Sequence, residues 1–311
     1  MQPCELKHEV AGFFRFEKFK TDTDGNEIEG TREVAADWFP NLILDQGLDL
    51  MATNPSYAAA CQVGSSGTTP SVSQTALISR IAGSTTQVVN NTIVSGSVPY
   101  YVALQRSFRF AEGVAAGNIA EVGIGTGPTG TTLFSRSLVK DSLGNPTTIT
   151  ILPDESLDVI YELRYYAPDE ISGVIVATGN IGGTYDYTLR PSNVSTVGTG
   201  NGWSMSPQTQ NGSGSTGSIA YEGAIGLPTA QPSGASATIT LPTAGSYTSG
   251  NFYLDRAVTA SAAQANSLAS VRSMFFKMGV GSYQIEFDPP IPKTSNDVIQ
   301  LTIRLSWGRR P

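Results

Sequence analysis

Apolar and polar residues alternate through most of this chain, with a period of two. From Leu6 to Phe19, the apolar Val10, Phe14 and Phe16, and less regularly Phe13 and Phe19, are interleaved with Glu9, Arg15, Glu17 and Lys18. Residues two apart share one face of a strand, so this segment predicts a strand with one aromatic face. Asp24, Gly25 and Asn26 predict a turn, and Ile28 to Ala35 an antiparallel return that ends at Trp38 to Asn41. Tyr100 to Phe110 repeats the pattern. Tyr101, Ala103, Gln105, Ser107 and Arg109 fall on one face, and Leu104, Phe108 and Phe110 mostly on the other. Shorter strands are predicted at 58–63, 119–124, 132–139, 147–151 and 157–166, then between 171 and 189. The last ones fall at 238–241, 251–254, 283–287 and 298–307.

Helical periodicity occurs in two places. Leu42, Ile43, Leu48 and Met51 predict a helix within 41–51, which Asp45 caps and Gly47 weakens. These apolar side chains are expected to pack under the first sheet. Ala262, Ala265, Leu268 and Ala269 predict a second helix within 260–276. The fold class that follows is all-β, made of sandwich-like units with short helices.

An internal echo suggests how many units there are. Thr148 to Pro153 precedes Asp158, Val159 and Ile160 and a strand containing Arg164. Gln284 to Pro289 precedes Asp297, Val298 and Ile299 and a strand containing Arg304. Two similarly built units are expected, 1–168 and 169–311. Between them in character is Ser192 to Ser218, almost wholly Gly, Ser, Thr, Asn and Gln around a lone Trp203. Such a segment cannot form its own core. Trp203 looks displayed and is the candidate contact residue, expected to insert into a pocket on this or an adjacent subunit.

Composition narrows the chemistry. Charged residues make up 14 % of the chain, against about 25 % in a typical soluble domain, so much of the polar surface is uncharged. The net charge of −7 argues against nucleic-acid binding, which needs clustered cations. No apolar run is long enough to span a membrane as a helix, and the N-terminus lacks the pattern of a secretory signal. One histidine, His8, and two cysteines, Cys4 and Cys61, cannot assemble a Cys/His metal cage within one chain. Both thiols are expected to be reduced, with Cys61 in a core strand. No catalytic, cofactor-binding or metal-binding residue is assigned, and the chain is read as a shape-builder rather than an enzyme.

Several local patterns carry a weaker reading. Gly125 to Gly130 matches a dinucleotide-binding glycine pattern, but Pro128 sits inside it and strand character follows, which favours a hairpin. Asp22, Asp24, Asn26, Glu27 and Glu29 lack the glycine spacing of a calcium loop and read as a solvated hairpin tip. The acid pairs Asp154/Glu155 and Asp169/Glu170 read as turn acids rather than a glycosidase pair.

Four motifs in fixed order carry a resemblance. They are N-L-I-x-D-x-G-L-D at Asn41 to Asp49, C-Q-V-G at Cys61 to Gly64, A-E-V-G-x-G at Ala120 to Gly125, and L-F-S-R at Leu133 to Arg136. Together, over about 36–166, they resemble tail-region structural proteins of double-stranded DNA bacteriophages and prophages. Asp288 to Lys293 and Ser306 to Arg309 resemble the ends of such proteins. The resemblance implies a virion component of the tail or tail-fibre/adaptor region, acting as a homo-oligomer among other virion proteins, with a host cell-surface glycan as a further partner. It implies no catalytic residue and no cofactor. A head or collar decoration protein is the alternative, and a glycan depolymerase is disfavoured because the chain lacks a long repetitive β-helix.

Overall fold

Alternation does become strand. In the computed structural model, which describes residues 3–177, 179–198, 200–205 and 218–311, the chain is all-β and sandwich-like, with twenty strands and one α-helix among the described residues. The first strands are β1 (Cys4–Phe19), β2 (Glu33–Pro40) and β3 (Leu42–Ile43), followed by helix α1 (Asp45–Thr53). Next come β4 (Ala60–Gly64), β5 (Arg80–Ser84), β6 (Gln87–Val94), β7 (Tyr101–Phe110), β8 (Gly117–Ile119) and β9 (Glu121–Gly125). They continue with β10 (Leu133–Leu138), β11 (Ile149–Ile151), β12 (Ser156–Tyr166), β13 (Ile171–Ala177) and β14 (Gly183–Ser192). The last six are β15 (Ser218–Tyr221), β16 (Ser236–Ala244), β17 (Tyr253–Ala260), β18 (Ser270–Met278), β19 (Gly281–Pro292) and β20 (Ile299–Arg309).

The chain divides into two units by strands rather than at one position. The first unit comprises Val10–Thr92, Ala103–Arg164 and Arg309–Pro311; the second comprises Met1–Glu9, Ile93–Val102 and Tyr165–Gly308. A cut near residue 168 therefore matches one crossing, at Tyr165, but strands β1, β6, β7 and β20 also pass from one unit to the other.

In the first unit one sheet has the order β2-β1-β12-β7-β6 and another the order β3-β10-β9-β4-β5. The aromatic face of β1 lies in the core: Phe14 packs on Tyr161 at 5.0 Å, and Phe16 stacks on Phe39 at 5.9 Å. Ser137 donates to Pro40 O and Arg106 to Ala58 O, tying the two sheets together. The second unit has the order β13-β14-β19-β18-β15-β16-β17-β20-β1. Its core holds Leu189, Phe275, Phe276, Ile285, Phe287 and Ile303, all fully buried.

Several expectations are corrected. The return strand after the Asp24 turn starts at Glu33, not Ile28, because a second turn with Gly30 at φ 79° intervenes. Trp38 to Pro40 continues that strand, in register Phe14↔Phe39, rather than breaking it. The first helix begins only at Asp45, after β3, and Leu44 rather than Asp45 is its N-cap. Leu48 and Met51 are buried as expected, and α1 packs against β10. Gly47 is what permits this: a Cβ there would lie 2.0 Å from Phe134 O. Finally, the segment 260–276, expected to carry a helix, forms turns over 261–269 and strand β18 from Ser270. Ala265 adopts φ 58°, and Gln264 accepts from Ser261 N, so local side-chain bonding displaces the helical ladder. Strands β6 and β15 were not expected at all.

Candidate functional site

The motif residues converge on one sheet. Cys61 to Gly64 is β4, Glu121 to Gly125 is β9, Leu133 to Arg136 opens β10, and Leu42–Ile43 is β3. The register Gln62↔Gly123↔Arg136 lines them up across three strands. At the centre Arg136 and Glu121 form an ion pair at 2.8 Å with both side chains fully buried. Arg136 also donates to Gln74 Oε1 and Thr68 O, both at 2.8 Å. Glu121 accepts from the amides of Ile78 and Ser79 at 3.1 and 2.7 Å. One buried pair thus holds the long 65–79 loop against the sheet. The Gly125 to Gly130 loop is a hairpin between β9 and β10, with Gln62 donating to Gly127 O. Gly83 serves that approach, since a Cβ there would meet Pro128 O at 1.8 Å. The chemistry of these motifs is scaffolding.

The outward face of the β2-β1-β12-β7-β6 sheet is open. It carries a cleft of about 440 Å³ with a charged floor and apolar rims. Asp158, from β12, takes Arg109 at 2.8 Å and Arg32 at 3.1 Å. Arg32 also pairs with Glu17 and Glu27, and Arg15 pairs with Glu17 at 3.0 Å. Hydrogen bonding to Glu27 holds the Arg32 guanidinium above its ordinary pKa, and bonding to Asp158 does the same for Arg109. Both guanidinium groups lie over the Phe19 ring, at 4.2 and 4.8 Å. Charges of each sign on the floor are paired with each other. The rims are Trp38, Val88 and Val89, each partly exposed to solvent. Gln105, Ser107 and Arg109 reach the cleft from one face of β7, as their alternation implies.

Trp203, the sequence candidate for a displayed contact residue, is instead 1 % exposed and belongs to a closed aromatic cluster of the second unit. Its indole N–H donates to Ser192 O at 2.8 Å. Its ring packs edge-on to Tyr283 at 5.8 Å and lies 6.2 Å from His8. The pocket is on this chain, and the residue has no surface left for a partner. The displayed tryptophan is Trp38, at 40 % exposure. Its signal was present: Trp38 and Phe39 must face opposite ways on a strand, and Phe39 belongs with the aromatic core. Residues 206–217 of the polar segment lie outside the described residues.

His8 is the hub of that cluster. Its Nδ1 faces Tyr166 O at 3.1 Å and its Nε2 faces the Tyr283 hydroxyl at 2.9 Å. It stacks on Tyr165 at 4.5 Å. Complete burial lowers its pKa to about 3, so the ring is neutral. Both cysteines are free and buried, and burial pushes the Cys61 thiol well up. The acids are also employed. Asp22 accepts from the amides of Asp24 and Asn26, closing its turn. Asp154 pairs with Lys20, Glu155 with Lys18, and Glu170 with Arg190. No family model, curated protein or solved structure matches this chain.

Proposed function

We propose that this chain is a structural component of a bacteriophage virion, in the tail or tail-fibre/adaptor region, acting by assembly with other copies and other virion proteins. The observation that carries the reading is the use made of the motif residues. The residues that resemble tail-region proteins meet in one sheet, where Glu121 and Arg136 are spent on holding loops. The residue types that most often carry chemistry support it too: His8, Cys4 and Cys61 are buried, and the acids described above are engaged in ion pairs or turns. What the first unit presents outward is a charge-balanced face with apolar rims, which suits contact with protein.

The test is location. Purified particles should contain the chain by mass spectrometry, and gold-labelled antibody should decorate the tail. Label on the head or collar would replace the tail reading with that of a decoration protein. Absence from particles would end the virion reading altogether.

A further inference from the structure

We propose that the cleft on the outward face of the first unit binds an uncharged sugar, with a pyranose ring laid on Trp38 and its hydroxyls turned to the floor. Every residue that lines the cleft belongs to that unit. At about 440 Å³ it has the size of a small-molecule site. A protein neighbour resting on Trp38, Val88 and Val89 covers the rims without filling the space between them.

Charge selects what fills it. Arg15, Arg32 and Arg109 are answered by Glu17, Glu27 and Asp158, and Arg15 also lies 4.0 Å from Asp37. No guanidinium is left over for an anion. The chain as a whole carries −7, which repels a phosphate, a nucleotide or a uronic acid. A cation would have to displace an arginine to reach Glu17 or Asp158. A wholly apolar ligand would strip water from these ions and replace it with nothing. The remaining class is uncharged and rich in groups that both donate and accept. Paired guanidinium groups keep N–H donors to spare, and paired carboxylates keep lone pairs. A sugar hydroxyl can use either.

Two side chains supply what the ion pairs lack. Ser107 is 4 % exposed and lines the cleft, and its hydroxyl has no hydrogen-bond partner among the described residues. A hydroxyl so buried is costly to leave unpaired, and the cleft is the side from which a ligand reaches it. Trp38, 40 % exposed, lines the same cleft. A pyranose carries C–H bonds on one face, which lie flat on the negative face of an indole while the hydroxyls project from the ring edge. An exposed indole beside a floor that donates and accepts suits a ring with both characters. The inference is independent of the virion reading, because it concerns the isolated chain.

Saturation-transfer NMR on the full-length chain tests it. The probes are the methyl glycosides of glucose, galactose, mannose and N-acetylglucosamine, with glucuronic acid and glucose 6-phosphate as charged contrasts. At least one neutral glycoside should bind, with a Kd of about 1 mM or tighter. Iodide quenching of tryptophan fluorescence should fall as it binds, because Trp203 and Trp307 are buried and Trp38 is exposed. Trp38→Ala should weaken binding about tenfold and Ser107→Ala about fivefold, with thermal unfolding confirming that both variants fold. Silence towards all four glycosides would overturn the site and leave this face to protein neighbours. Undiminished binding by Trp38→Ala, or tighter binding of either charged sugar, would overturn it as well. Presence or absence of the chain on particles bears on the virion reading alone.

Discussion

The two units bury a cation in opposite ways. In the first, Arg136 is enclosed with a carboxylate and every side of the pair is bonded: Glu121, Gln74 and Thr68 around the guanidinium, Ile78 and Ser79 amides on the acid. In the second, Lys277 is buried among carbonyls, donating to Gly198 O at 2.8 Å and to Gly202 O. Both arrangements hold a polar loop against a sheet. A carboxylate neutralises the buried charge, whereas carbonyl dipoles only solvate it. Burial accordingly lowers the Lys277 pKa to about 8. The first device is a fixed clamp; the second is a clamp that depends on pH.

The largest effect should come from breaking the fixed clamp. Arg136→Ala leaves Glu121 buried without its cation, which costs about 3–5 kcal/mol. Urea unfolding of the full chain measures this. Replacing both partners with apolar residues, Arg136→Met with Glu121→Leu, should recover much of the loss. A single-variant cost below about 1 kcal/mol would mean that the pair is not the clamp.

Acid tests the second unit through His8. Its folded pKa, about 3, lies below the ordinary value of 6.5. A histidine held neutral contributes stability that is complete above the unfolded pKa and is lost as pH falls towards the folded one. Between pH 7 and 4 this amounts to about 3 kcal/mol. Carboxylates titrate in the same range, so the difference between wild type and His8→Phe isolates the histidine. Parallel stability curves for the two proteins would show that His8 is already protonated or exposed.

How much of this was legible in the sequence follows from the range of each interaction. Strands declared themselves because alternation is local: β1 and β7 fall where Phe14 and Phe16 flank Arg15 and where Phe108 and Phe110 flank Arg109. The Ala262 to Ala269 segment misled because alanine favours a helix only when nothing nearby competes, and there Gln264 and a left-handed Ala265 do. Arg136 was seen as a motif letter but not as a buried charge, since its partners lie 15 to 68 residues away. Trp203 looked displayed because its neighbours in sequence are polar; its neighbours in space come from His8, Tyr165 and Tyr283. Sequence context describes a loop, and only the fold describes what the loop covers.

A smaller effect is expected at Trp203 itself. Trp203→Phe keeps a large apolar ring but removes the N–H that reaches Ser192 O. The lost bond and the space left behind should cost about 1–3 kcal/mol. Thermal unfolding checks it, and the Trp38→Phe variant serves as the contrast. Because Trp38 is exposed, that substitution should change stability by no more than about 0.5 kcal/mol. Equal costs at the two positions would erase the distinction between a loop anchor and a displayed ring.

The effect at Lys277 sharpens the comparison most, because its sign decides it. Lys277 has a folded pKa of about 8, below the ordinary lysine value. Between pH 8 and the unfolded pKa near 10.4, the unfolded chain binds more protons than the folded one. Stability attributable to Lys277 should therefore rise with pH across that window, opposite to the loss expected from a paired lysine. Its neutral amine keeps two N–H donors, enough for both Gly198 O and Gly202 O, so the loop need not open as the charge is lost. Lys277→Met removes the titration and should flatten this component of the curve. Subtracting the variant's stability from that of wild type at each pH separates it from tyrosine and arginine titration. A difference that falls as pH rises would mean that the ammonium is better held folded than in water, and that the carbonyl cage is as complete a partner as Glu121 is for Arg136.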